Sequence, residues 1–185
     1  MGSFYTNIVV PGAEVSATLD TLEDLGRVAF VAAAGEAGAI VYDEECDTQD
    51  PGALAMLGSE LSQALKRPAW CVLNHDDDVL WYQLFVDGAP VDEYDSSPGY
   101  FDEDEPRPPQ GGAAETLAGA FGRPERAAAV EAILRRQDVL FASERHRDLA
   151  RELGLPPEGV TMGFTYLEAG EVSPGLDPGS LRRTG

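Results

Sequence analysis

Cysteine, histidine and basic side chains are scarce in this 185-residue chain, which holds two, two and thirteen of them respectively. The cysteines, Cys46 and Cys71, cannot build a disulfide framework, and neither belongs to a CxxC pair. With His75 and His146 as the only imidazoles and no GxSxG elbow, nucleophilic catalysis has little to work with. No Walker loop and no GxGxxG occurs, which disfavours a standard phosphate cradle. No apolar run approaches the ~20 residues that span a bilayer, and the N-terminus lacks a charged-then-apolar signal pattern. A cytoplasmic, soluble protein is the expectation.

Acidic residues are abundant instead. Thirty-three carboxylates against thirteen bases give a net charge of -20, and the surplus is uneven. Residues 1–105 hold 3 bases (Arg27, Lys66, Arg67) against 22 acids, whereas 106–185 hold 10 arginines against 11 acids. Such a first part repels nucleic-acid phosphates and anionic lipids, which are held by clustered Lys and Arg. It attracts a cation or a basic protein partner, although solubility alone is also served by such a charge.

Residues 3–10 read as a strand rich in β-branched and aromatic side chains, stopped by Pro11-Gly12. The spacing of Val15, Leu19, Leu22 and Leu25 predicts a helix over 13–25. Strands follow over 28–33 and 39–43. Asp50 as N-cap and Pro51 at the first helical position open a second helix carried by Leu54, Leu57, Leu61 and Leu65. Segments 69–75, 79–86 and 91–95 read as an antiparallel meander turned at Asp87-Gly88, with one face of the sheet under the two helices. A Pro- and acid-rich stretch, 96–112, is a loop with a mobile tip. Beyond it lie helices over 113–121 and 124–136, a short strand or helix continuation at 139–142, a helix from a Ser143 cap to Leu153, and a final strand over 160–167. The predicted class is α+β: a ferredoxin-like βαββαβ sheet extended by an antiparallel hairpin, followed by a mainly helical C-terminal part. The divisions are an acidic sheet domain (1–105), a linker (106–112), a helical subdomain with a final strand (113–169) and a polar tail (170–185).

Asn74-His75-Asp76-Asp77-Asp78 falls at a hairpin turn. His75, Asp76 and Asp78 are candidate ligands for a divalent cation, because carboxylate oxygens suit Mg²⁺ and Ca²⁺. The spacing matches no calcium loop, and aspartate favours turns in any case. Acidic clusters at Asp43, Glu44, Glu45 and at Asp92, Glu93, Asp95 sit at other strand ends. Asp43, Glu45, Asp76 and Asp95 would converge if those ends share one rim, and could then hold metal or share a proton. The plainer alternative is a hydrated rim that keeps sheet edges from pairing. Cys71 is too far along its strand from His75 to bond it, and a Cys46–His75 pair stays open. Glu144 to Asp148 reads as a solvated helix face with mixed ion pairs. Trp81 and Tyr82 point to opposite faces, and the aromatics Trp70, Trp81, Tyr82, Phe85, Tyr94, Tyr100 and Phe101 gather in and after the meander.

The segments FYTNI (4–8), VYDEECDTQD (41–50), VLNHDDDVLWYQLFVDG (72–88), VDEYDSSPGYFD (91–102) and ERHRDLARELGLP (144–156) resemble a family of acidic bacterial α+β proteins. That resemblance implies no particular activity and transfers no catalytic residue. In size and charge alone the chain is similar to small acidic immunity-type inhibitors of bacterial toxins.

The leading expectation is a non-catalytic binding or inhibitory protein. It would offer Asp43, Glu44, Glu45, Trp81, Asp92, Glu93, Asp95 and Tyr100 to a basic protein or peptide. Two alternatives are a metal-assisted hydrolase using these carboxylates with His75, and a self-associating structural subunit.

Overall fold

The computed structural model describes residues 2–102 and 107–185; the acidic run at 103–105 and Pro106 of the expected linker lie outside them. Among the described residues eight strands form one antiparallel sheet. They are β1 (Tyr5–Pro11), β2 (Ala29–Ala33), β3 (Gly38–Asp43), β4 (Ala69–His75), β5 (Val79–Val86), β6 (Ala89–Asp95), β7 (Gln110–Gly111) and β8 (Arg182–Arg183). The α-helices among the described residues are α1 (Val15–Asp24), α2 (Pro51–Leu65), α3 (Ala114–Ala120), α4 (Ala127–Arg135), α5 (Ala142–Leu153) and α6 (Phe164–Glu168). The strand order is β7-β6-β5-β4-β1-β3-β2-β8. The fold is mixed α+β.

Every residue of β1 is buried, because helices cover both faces of the sheet. On one face Ile8, Val10, Val31, Val41, Cys71 and Phe85 pack with Leu22 of α1 and Leu54, Leu57 and Leu61 of α2. On the other, Val9, Tyr42, Trp70, Tyr82 and Tyr94 pack with Leu117, Val130, Leu134, Leu149 and Phe164 from α3 to α6. The C-terminal helices therefore close the second side of the sheet, which α1 and α2 leave uncovered. Trp81 and Tyr82 do face opposite sides: Tyr82 lies in the second core and Trp81 packs at the edge of the first.

The local signals of the first half act as the sequence predicts. Asp50 accepts the Gly52 N–H at 2.8 Å and Pro51 opens α2. Asp87 and Gly88 adopt φ of 50° and 80°, the pair of positive values a two-residue hairpin needs for its twist to match the strands. Gly58 serves a different purpose, since a Cβ there would stand 2.0 Å from Cys71 Sγ; the missing side chain lets α2 lie against the sheet.

Several expectations are corrected in the second half. Residues 160–167 are not a strand: Val160 to Gly163 run through turns and α6 begins at Phe164. Asn7 of β1 instead donates its Nδ2 to Val160 O at 2.6 Å and Met162 O at 3.1 Å. Residues 139–141 form neither strand nor helix, and α5 starts at Ala142 with Ser143 already inside it. The expected polar tail also ends within the sheet. β8 pairs with β2, and the buried Thr184 Oγ1 accepts from Ala29 N and donates to Arg27 O.

Helix α5 departs furthest from a solvated face, because Arg145 and His146 are both buried. His146 Nδ1 shares a 3.0 Å hydrogen bond with Tyr5 Oη, the two rings stack, and Trp70 meets the imidazole edge-on. Burial, helped by the Arg147 charge, pushes His146 down to about 3.

Two outcomes follow from this packing. Gly58→Ala should cost about 1–2 kcal/mol, because overpacking against Cys71 outweighs the roughly 1 kcal/mol gain in helix propensity. Urea denaturation reads this, and adding Cys71→Ala should recover part of the loss. For His146, the unfolded chain takes up a proton near 6.5, while the folded chain resists protonation until about 3. Stability attributable to His146 is therefore complete above the upper value and falls as pH drops through this window, by up to about 1.4 kcal/mol per pH unit. In His146→Gln the slope of unfolding free energy between about pH 6 and pH 4 should be shallower.

Candidate interaction site at the strand-end rim

Antiparallel pairing places the C-terminal ends of β3, β4 and β6 on the same rim as the N-terminal ends of β1, β2 and β5. The rim is shared but the acids do not meet. Two strand spacings separate β3 from β4 and four separate β3 from β6, or about 10 and 19 Å at ~4.8 Å each. Among the described residues no three His, Cys, Asp or Glu side chains are grouped to hold a metal ion.

At the β3 end, Asp43 is buried and held by Arg27, whose Nε donates to Asp43 Oδ2 at 2.9 Å, while Nη1 pairs with Glu45. Asp43 also accepts the Cys46 N–H, so it is unavailable to a partner. Glu44 and Glu45 are exposed. Cys46 is buried beside Asp43, and burial drives its thiol far above the ordinary range. No bond joins it to His75, which points Nδ1 toward Gln49 Oε1 at 3.3 Å. Asp47 accepts from Thr6 N and Thr165 N, tying β1 to α6.

On β6 the acids are also largely engaged. Asp92 accepts the Tyr82 hydroxyl at 2.8 Å and the Ala113 N–H ahead of α3. Glu93 is exposed and accepts from Gln83 Nε2. Asp95 is half-buried and accepts from Ser97 N; burial raises its carboxyl above the usual carboxylate range.

The β4–β5 turn is the centre of the rim. Asp78 N donates to His75 O, and Asp76 and Asp77 both hold positive φ, 50° and 62°. Aspartate tolerates this left-handed backbone better than most residues, and Asp77 uses its side chain where glycine would have none. Its Oδ1 accepts from Ser143 N at 2.8 Å and its carbonyl from Ala142 N at 2.6 Å, which caps the first turn of α5. Its N–H donates to Ser3 O, while Asn74 Nδ2 holds the same carbonyl at 2.7 Å.

Those bonds bring three separate segments to one corner. Phe4 meets His75 edge-on at 5.0 Å, and Phe101 meets it from the other segment at 5.0 Å. Tyr100 packs on both His75 and Phe101, and its hydroxyl donates to Asp78 Oδ2 at 3.1 Å. That bond raises the phenol above its ordinary range. Phe4, Tyr100, Phe101, Leu140 and Phe141 are all exposed here, Phe101 by 68% and Leu140 by 81%. Exposed apolar side chains gathered in this way, beside Asp76 and Asp78, make this corner the candidate interaction surface.

Of the residues expected to bind a partner, Tyr100 lies in this corner and Asp95 borders it. Glu44 and Glu45 lie farther along the rim, Asp92 and Glu93 sit down β6, and Trp81 is half-buried under the helices. The expected metal ligands His75, Asp76 and Asp78 occupy the corner as a ring contact, a turn residue and a hydrogen-bond acceptor. Phe4, Leu140 and Phe141 are additional; the signal for the last two is a pair of large apolar residues just ahead of a helix, outside its periodic face.

No family model, no curated protein and no solved structure matches this chain. Among the described residues no helix is long and apolar enough to cross a membrane.

Asp77→Ala should cost about 1–2 kcal/mol, the loss of a helix cap together with a residue suited to positive φ. Asp76→Asn should be nearly neutral, since asparagine tolerates the same backbone. Chemical denaturation of both variants gives the comparison.

Proposed function

We propose that the protein is a non-catalytic binding protein whose strand-end corner docks a basic, amphipathic segment of a partner. One observation carries this reading: five large apolar side chains stand exposed around the β4–β5 turn, beside the exposed carboxylate of Asp78. Aromatic groups supply desolvated contact area, and the acids favour approach of a cation and disfavour an anion. The overall charge of -20 adds long-range attraction that salt would screen. An inhibitory role would follow if the docked segment carried its owner's active surface. The strand order β4-β1-β3-β2, with a helix after β1 and another after β3, supports reading the central unit as ferredoxin-like, extended by β5 and β6.

A fluorescently labelled peptide alternating arginine and leucine is a direct probe, followed by anisotropy at low and high salt. Phe101→Ala should weaken it by about tenfold or more, as for an interface anchor. Asp76→Asn/Asp78→Asn should slow association and flatten the salt dependence. Affinity that is unchanged in both variants and indifferent to salt would refute the proposal.

A further inference from the structure

Arg145 is 4% exposed and, among the described residues, forms no ion pair with a carboxylate. Other arginines differ in this respect: Arg27, Arg126, Arg135, Arg136, Arg147, Arg151 and Arg183 each have a carboxylate partner, although all are more exposed. Buried charges are ordinarily paired. Arg145 is held by the end of α4 instead. Nη1 donates to Ile133 O at 2.6 Å and Leu134 O at 3.0 Å, and Nη2 to Arg136 O at 2.5 Å, while the guanidinium lies over the Tyr94 ring. Carbonyl dipoles offset the charge only in part. Three of the five N–H donors are engaged, leaving one on Nε and one on Nη2.

Arg145 lines a cleft of about 360 Å³. Ser96, Ser97, Gln137, Val139 and Leu140 contribute to its walls, with Arg107 and Asp78. The Asp78 carboxylate is itself engaged by the Tyr100 hydroxyl. Ser96 Oγ accepts from Leu80 N, which leaves its own proton to donate.

We propose that this cleft binds a small molecule bearing an oxyanion, a carboxylate or phosphate group, with Arg145 as its buried counter-charge. The Nε and Nη2 donors form the fork that guanidinium offers to such groups, serine and glutamine side chains complete the polar shell, and Val139 and Leu140 provide apolar contact for the rest of the molecule. This cleft adjoins the corner proposed to dock a basic segment, sharing Asp78 and Leu140 with it, and it asks for a ligand of opposite sign.

Calorimetric titration of the full chain at low ionic strength, with inorganic phosphate in one arm and acetate in the other, tests the proposal, with chloride as the control. Saturable binding of one equivalent is expected for at least one oxyanion and not for chloride, and the arm that responds identifies the group. Ser97→Asp places a second carboxylate in the cleft without touching the bonds that bury Arg145, and should weaken binding about tenfold or more; Gln137→Glu should act in the same direction. Circular dichroism confirms that both variants fold. Absence of saturable heat up to about 10 mM of either oxyanion, where even millimolar affinity would register, would overturn the proposal. So would equal affinity in the two folded variants.

Discussion

The hydrogen bonds of Asp77 determine how the two halves of the chain meet. One residue at the tip of a hairpin receives the first turn of α5, 66 positions later in sequence, and donates its own N–H to the segment ahead of β1. Without that junction Phe4, Tyr100 and Phe141 would belong to three unrelated loops. The left-handed backbone at two successive aspartates is held in place from both sides, as conformations of this kind usually are. Rigidity at the corner therefore comes from long-range polar contacts more than from the hairpin itself, since isolated hairpins are weak.

Charge is distributed in the fold with a logic that the totals conceal. Many acids of the N-terminal part are anchors: Asp43 holds Arg27, Asp47 joins β1 to α6, Asp50 caps α2, and Asp92 joins β5 to the start of α3. Each meets N–H or O–H donors in the protein and needs no outside cation. The carboxylates that face solvent, Asp78 and Glu44 among them, are the ones left to shape the external field. Arg145 has the converse position, a cation drawn inward by helix-terminal carbonyls and, among the described residues, in no ion pair.

The first half of the fold was legible because its signals are local. The Asp50-Pro51 start, the leucine spacing of α2 and the Asp87-Gly88 turn each operate within a few residues, and so the βαββαβ order and the meander were read correctly. The second half depends on contacts across the chain. Phe164 to Leu167 has strand-like composition, yet it forms a short helix because Asn7 and Asp47 satisfy the backbone groups around it. Arg145 and His146 sit in a charged pentad with every mark of a solvated face; only the carbonyls of α4 and the Tyr5 hydroxyl make their burial tolerable. The corner was partly legible. Aromatic enrichment pointed to Tyr100 and Phe101, but sequence spacing could not separate a carboxylate that caps a helix from one that faces water.

Both margins of the eight-stranded sheet consist of strands only two residues long, β7 and β8. Beyond the short reach of β7, the exposed part of β6 carries Pro90, which has no N–H to offer, and the acidic Asp92 and Glu93. A sheet finished in this manner gives a neighbouring molecule only short or proline-interrupted edges on which to extend it by backbone pairing. Margins of this kind disfavour edge-to-edge growth into fibres in a chain with a quarter of its length in strands.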